Sequence, residues 1–136
     1  MTQADDLSAQ GPRILIVDDE PDNRELLQIV LKWDGFATQT AASGEEALAS
    51  AAEHPPDLML LDLMMPGLDG CQVTTLLKQN LATRNIPVMI ISAMNDRATR
   101  LRVLSAGAAE FVSKPIDRSD LCQRVRAILG RKPAPV

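Results

Sequence analysis

Along the chain, short apolar blocks alternate with longer stretches in which apolar side chains recur every three or four positions. The first block, "RILIV" at 13–17, runs directly into Asp18, Asp19 and Glu20. Pro21 suits a first helical position, where its missing N–H would have no partner in any case. Leu26, Leu27, Val30 and Leu31 then recur at helical spacing until Gly35, which predicts a helix with its apolar stripe on those positions. "FATQT" (36–40) has polar residues on both faces, as an edge strand would. Ser43 and Glu46 have the spacing of a capping box ahead of Ala47, Leu48 and Ala51. Residues 57–61, and "IPVMIIS" at 86–92, are apolar enough to be buried on both sides. Between them Asp69 is placed to cap a third helix carrying Val73, Leu76 and Leu77. A fourth helix is expected over about 95–106, ending at Gly107, and "AEFVS" (109–113) reads as the fifth strand. Asp117 is placed to cap a last helix with Leu121, Val125, Ile128 and Leu129 inward.

Strand and helix thus alternate five times, at about the spacing of βαβ units. This predicts an α/β fold: a single five-stranded parallel sheet, doubly wound and flavodoxin-like, with strand order 2-1-3-4-5. The domain is expected over 12–130, with 1–11 and 131–136 as loose ends.

Composition narrows the class further. At 136 residues, 46% hydrophobic and 24% charged, the chain fits one globular domain of ordinary size. Its aromatics are Trp33, Phe36 and Phe111, so the core must be built from Leu, Ile, Val, Met and Ala. A net charge of -4 argues against non-specific nucleic-acid binding. No apolar stretch approaches a membrane span, and "MTQADDLSAQG" lacks the apolar region of a signal peptide. A reducing, cytoplasmic setting follows, with Cys71 and Cys122 as free thiols on opposite sheet faces.

In such sheets ligands bind beyond the carboxyl ends of the strands. Asp18 and Asp19, Asp62, Ser92 and Lys114 stand at the ends of strands 1, 3, 4 and 5. One aspartate at a strand end is ordinarily a helix cap or a solvated turn; so many polar strand-end positions together point to a site. Two carboxylates about 5 Å apart repel by roughly 3 kcal/mol at an effective dielectric of 20. Three call for a cation, and all-oxygen ligation with few protein ligands suits Mg²⁺, which readily shares a phosphate. Lys114 and the Ser92 hydroxyl can each donate to phosphoryl oxygens. A carboxylate nucleophile beside these groups makes a phosphoryl-transfer site.

The motifs "ILIVDDE", "PDLMLLDLMMPGLDG", "VMIISA", "AGAAEFVSKP" and "LCQRVRAIL", in this order, make the chain resemble the receiver domain of bacterial two-component response regulators over about 12–130. The resemblance implies that Asp62 accepts a phosphoryl group from a sensor histidine kinase, a phosphotransfer protein or acetyl phosphate. It implies Mg²⁺, with Mn²⁺ able to replace it, held by Asp19, Asp62 and the Met64 backbone carbonyl, with Asp18 acting through water. Lys114 would pair with the phosphate, the Ser92 hydroxyl would move onto a phosphoryl oxygen, and Phe111 would turn inward behind it. A cis Lys114–Pro115 bond is also implied. The switch would reach a face built from helix 4, strand 5 and helix 5, and control a downstream effector or an output domain. A homodimer formed on phosphorylation is compatible with it. Such a module assists its own phosphorylation and dephosphorylation but is not an enzyme with a free substrate.

Met64 and Met94 occupy two positions that vary in the family, and neither side chain readily hydrogen-bonds a water aimed at phosphorus. A slowly hydrolysing phosphoryl form is expected, unless the methionines simply cover the site. Phe111 also fits a plain core role, and His54 an ordinary surface one. Arg97, Arg100, Arg102, Arg118, Arg124 and Arg126 fit either a partner-binding patch or ordinary charged outer faces. Three other classes fit less well. A haloacid-dehalogenase-type phosphatase would need an aspartate at the Met64 position. In a flavodoxin-type carrier "DDEPDN" would repel the flavin phosphate. A DNA-binding regulator would need an output domain beyond the last helix.

Overall fold

The computed structural model describes residues 11–130. Of the segments expected to be loose, 1–11 and 131–136, all but Gly11 lie outside the described residues. The elements are β1 (Arg13–Val17), α1 (Pro21–Trp33), β2 (Ala37–Ala41), α2 (Gly44–Glu53), β3 (Leu58–Asp62), α3 (Gly70–Gln79), β4 (Val88–Ser92), α4 (Arg97–Ser105), β5 (Glu110–Ser113) and α5 (Arg118–Gly130). All strand pairs are parallel, and the order is β2-β1-β3-β4-β5. The predicted fold class and strand order are those observed.

Alternation along the strands divides the core into two layers. Leu15, Val17, Met59, Leu61, Val88, Ile90 and Phe111 face one side and pack against α2, α3 and α4 through Ala47, Ala51, Val73, Leu77 and Val103. Ile14, Ile16, Leu58, Leu60, Met89, Ile91 and Val112 face the other and meet Leu27 and Leu31 of α1 and Leu121, Val125 and Ile128 of α5. Full burial of such a side chain stabilises by about 1.5–3 kcal/mol. β1, β3 and β4 are covered on both faces, which is why they read as unbroken apolar runs. Polar β2 lies at one edge, with its polar residues half-buried or exposed.

Some local expectations shift. Ile86 N–H bonds Thr83 O at 3.0 Å in a turn, so β4 starts at Val88 rather than at 86. Asp96 caps α4 by accepting from Thr99 N–H at 3.2 Å, and the helix therefore starts at Arg97. Ser43 accepts from Glu46 N–H at 3.1 Å, but the Glu46 carboxylate reaches Ala42 N–H at 2.8 Å instead of closing the box on Ser43. A complete box forms one helix later, between Asp69 and Gln72. Leu26 (59% exposed) and Leu76 (41%) lie on the predicted stripes but turn to solvent, because one row of each helix suffices to cover the sheet. Cys71 and Cys122 are free thiols, on helices that cover opposite faces of the sheet.

Candidate functional site

The carboxyl edge of the sheet is fixed strand by strand. Asp18 N–H bonds Ala41 O (3.2 Å), Leu63 N–H bonds Ile91 O (3.0 Å) and Lys114 N–H bonds Ser92 O (2.9 Å), so the residues leaving β1, β3 and β5 are tied to a neighbouring strand. The β3–α3 connection folds back until Gly70 N–H meets Leu63 O at 2.9 Å. A Cβ on Gly70 would lie 3.0 Å from both Asp62 O and Leu63 Cα, so a side chain there would push the start of the helix away from the end of the strand. Asp18 is held from two sides. Its carboxylate accepts from Glu20 N–H at 2.9 Å, and its carbonyl accepts from the Arg24 guanidinium at 2.7 Å. The Arg24 clamp was not anticipated, since nothing in the local pattern marks an arginine six residues on.

Carboxylate oxygens of Asp18, Asp19 and Asp62 lie within 4.8 Å of one another. Asp18 and Asp62 are buried, at 3% and 8% exposure. At that spacing each ionised pair repels by roughly 3 kcal/mol at an effective dielectric of 20. Lys114, which precedes a cis bond to Pro115, places Nζ 3.5 Å from Asp62 Oδ1. One ammonium does not neutralise three carboxylates. The Asp62 carboxyl is raised from 3.8 to about 6, chiefly by burial and then by the charges of Asp18 and Asp19, against the lowering effect of Lys114. An uncompensated all-oxygen cluster of this kind fits a small divalent cation such as Mg²⁺.

Ser92 is fully buried at the end of β4, and its hydroxyl accepts from Met94 N–H at 2.9 Å. Phe111 does not line the carboxylate cluster. It is buried on the α2–α4 side of the sheet, with Arg100 Cζ 4.8 Å from its ring centroid. Met64 and Met94 expose their side chains, at 57% and 45%. The structure thus brings Asp18, Asp19, Asp62 and Lys114 together, while the Ser92 hydroxyl is engaged by its own connection.

Residues 14–126 match the family model of the response regulator receiver domain. The chain belongs to that family. It is 46% identical over 116 residues to the response regulator PleD of Caulobacter vibrioides, an alignment covering 85% of this chain and 26% of PleD. A putative response regulator from Chloroflexus aurantiacus superposes with a TM-score of 0.85 at 34% identity, covering 89% of this chain and 99% of that one. The receiver domain of a Pseudomonas aeruginosa sensor histidine kinase, solved with a magnesium ion coordinated in its active site cleft, gives 0.82 at 28% identity over 88% and 98% of the two chains. This receiver spans about a quarter to a half of the length of the curated relatives first matched.

Three of the six arginines are paired, and Arg97, Arg100 and Arg118 make no ion pair among the described residues. Arg124 pairs with Glu110 (3.2 Å) and Asp120 (3.0 Å), Arg126 with Asp34, and Arg102 stands 3.9 Å from Asp69. Among the described residues no helix is long and apolar enough to cross a membrane.

Proposed function

We propose that this receiver accepts a phosphoryl group on Asp62 from a phosphohistidine, or from a small donor such as acetyl phosphate, in a Mg²⁺-dependent reaction. The observation that carries the reading is the cluster itself: three carboxylates within 4.8 Å, one of them 3.5 Å from a lysine ammonium. Asp62, with its carboxyl at about 6, is ionised near pH 7 yet poorly solvated, as a carboxylate nucleophile should be. Its oxygen forms the new P–O bond as the P–N bond to the donor imidazole breaks, and the ring nitrogen keeps the electron pair. Asp19, Asp62 and the Met64 backbone carbonyl would hold the cation, with Asp18 acting through water. The cation, Mg²⁺ or Mn²⁺ in its place, supplies charge neutralisation between the cluster and the incoming phosphoryl oxygens.

Lys114 is placed to follow the phosphoryl group, exchanging its contact with Asp62 for one with a phosphoryl oxygen. The Ser92 hydroxyl supplies a second donor. Phosphorylation adds about -1.5 to -2 charges and strong acceptors. It thereby favours whichever packing brings Ser92 and Lys114 in, with the already buried Phe111 behind the serine, and carries the change to the α4–β5–α5 face. That face would act on a downstream effector or an attached output domain, with phosphorylation-linked homodimerisation as one outcome. The donor would be a cytoplasmic sensor kinase or phosphotransfer protein. Leu26, Ile29 and Trp33 support a docked helical partner, since they expose 59%, 50% and 83% of their surface in one stripe of α1. Beside that stripe a cavity of about 750 Å³ reaches Asp62 and Lys114.

Transfer from a ³²P-labelled phosphohistidine donor tests the proposal. Label should move to this chain in Mg²⁺, stay with the donor in EDTA, and fail to move to Asp62→Asn. Transfer that survives Asp62→Asn refutes it.

A further inference from the structure

Arg100 occupies the first turn of α4, and its side chain joins two segments that the sequence separates. Nε donates to Asn95 O at 3.2 Å, and the guanidinium carbon stands 4.8 Å from the centroid of the Phe111 ring. Arg100 makes no ion pair among the described residues, so its charge is directed at the ring face. The β4–α4 connection that it grips is short and closely tied. Met94 N–H is bonded to the Ser92 hydroxyl at 2.9 Å, and Asp96 caps α4 through both Thr99 N–H (3.2 Å) and the Thr99 hydroxyl (2.7 Å). Ser92, Met94, Asn95, Arg100 and Phe111 thus form one continuous set of contacts from the end of β4 to β5.

Movement of the Ser92 hydroxyl toward a phosphoryl group takes from Met94 N–H the acceptor it has at 2.9 Å. Losing that bond costs free energy, which couples the 93–95 backbone to the hydroxyl. Arg100 holds that backbone at Asn95 O and anchors it on Phe111.

We propose that Arg100 is a positioning residue: its clasp between Asn95 and Phe111 stabilises the packing in which Ser92 is occupied by Met94, and so restrains phosphoryl uptake at Asp62. The inference rests on the reading of Asp62 and Ser92 above. Releasing the clasp favours the packing that accepts the phosphoryl group. Loss of one partly exposed cation–π contact corresponds to an effect of about two- to five-fold.

The test compares Arg100→Ala with Arg97→Ala, which removes the same charge one turn earlier on the same helix, and with Arg100→Lys. Uptake from acetyl phosphate in Mg²⁺ is followed by intact mass, and half-saturation by beryllofluoride is followed by the ¹⁵N amide shift of Met94. Arg100→Ala should take up phosphate about two- to five-fold faster than wild type and half-saturate at correspondingly lower beryllofluoride. Its Met94 amide should already be displaced toward the bound position. Arg100→Lys, which keeps a cation but not the Nε bond, should fall between, and Arg97→Ala should match wild type. Arg100→Ala equal to Arg97→Ala, or slower than wild type, overturns the proposal. Absence of uptake by wild type would instead overturn the underlying reading of Asp62.

Discussion

Replacing Asp62 by asparagine should make the metal-free protein more stable, although it removes the proposed phosphoryl acceptor. The Asp62 carboxyl is raised to about 6 in the fold against 3.8 for an unperturbed aspartate. A difference of about two units at about 1.4 kcal/mol each sets a cost of about 3 kcal/mol for ionising it in place. Between those two values the folded state binds more protons than the unfolded one, so stability from this group falls as pH rises, and the full cost is present above about pH 7. Asparagine has nearly the same shape and no charge, but it gives up the 3.5 Å contact with Lys114 and must itself be desolvated. The net gain should be about 1–3 kcal/mol at pH 8, shrinking toward zero below about pH 3, where aspartate is protonated in both states. Urea unfolding in EDTA at several pH values measures it, as a shift of midpoint with unchanged slope. Mg²⁺ should stabilise wild type and narrow the gap. An Asp62→Asn protein no more stable than wild type at pH 8 would refute the claim that the three carboxylates are under-neutralised.

Lys114→Met should raise the Asp62 carboxyl further, since the lysine is its principal lowering influence, and slow acetyl phosphate uptake by about 10²-fold. The combined change Met64→Asn and Met94→Glu should shorten the lifetime of the phosphoryl form by about tenfold, because each supplies a group able to orient water. An unchanged decay rate by phosphate release would leave the methionines as mere cover. Gly44→Ala should destabilise by about 1–3 kcal/mol in urea, since its Cβ would sit 2.7 Å from Val73 Cγ2 and 2.9 Å from Leu68 Cβ where α2 meets α3. Ser92→Ala should still take up phosphate while losing the hydroxyl contact with Met94 N–H, which a shifted Met94 amide resonance would report.

The sheet was legible because β1, β3 and β4 are buried on both faces, which leaves runs such as Ile14–Val17 and Leu58–Leu61 with no polar interruption. The cluster was legible for a related reason: charged residues directly after such runs can stand only at the sheet edge. Helix faces were less so. Periodicity marks Leu26 and Leu27 equally, and only the approach of α1 to the sheet decides that Leu27 is buried and Leu26 exposed. The Asp69–Gln72 box has a readable signal in the three-residue spacing of an acid and a glutamine. Arg100 had none, because its contact with Phe111 spans a helix and a strand and exists only once both are packed.

The most direct test of the account is intact mass after incubation with acetyl phosphate and Mg²⁺, wild type beside Asp62→Asn. The account predicts one added phosphoryl group, roughly 80 Da, on wild type only and none in EDTA. No gain on wild type at any Mg²⁺ concentration, or the same gain on Asp62→Asn, would contradict it.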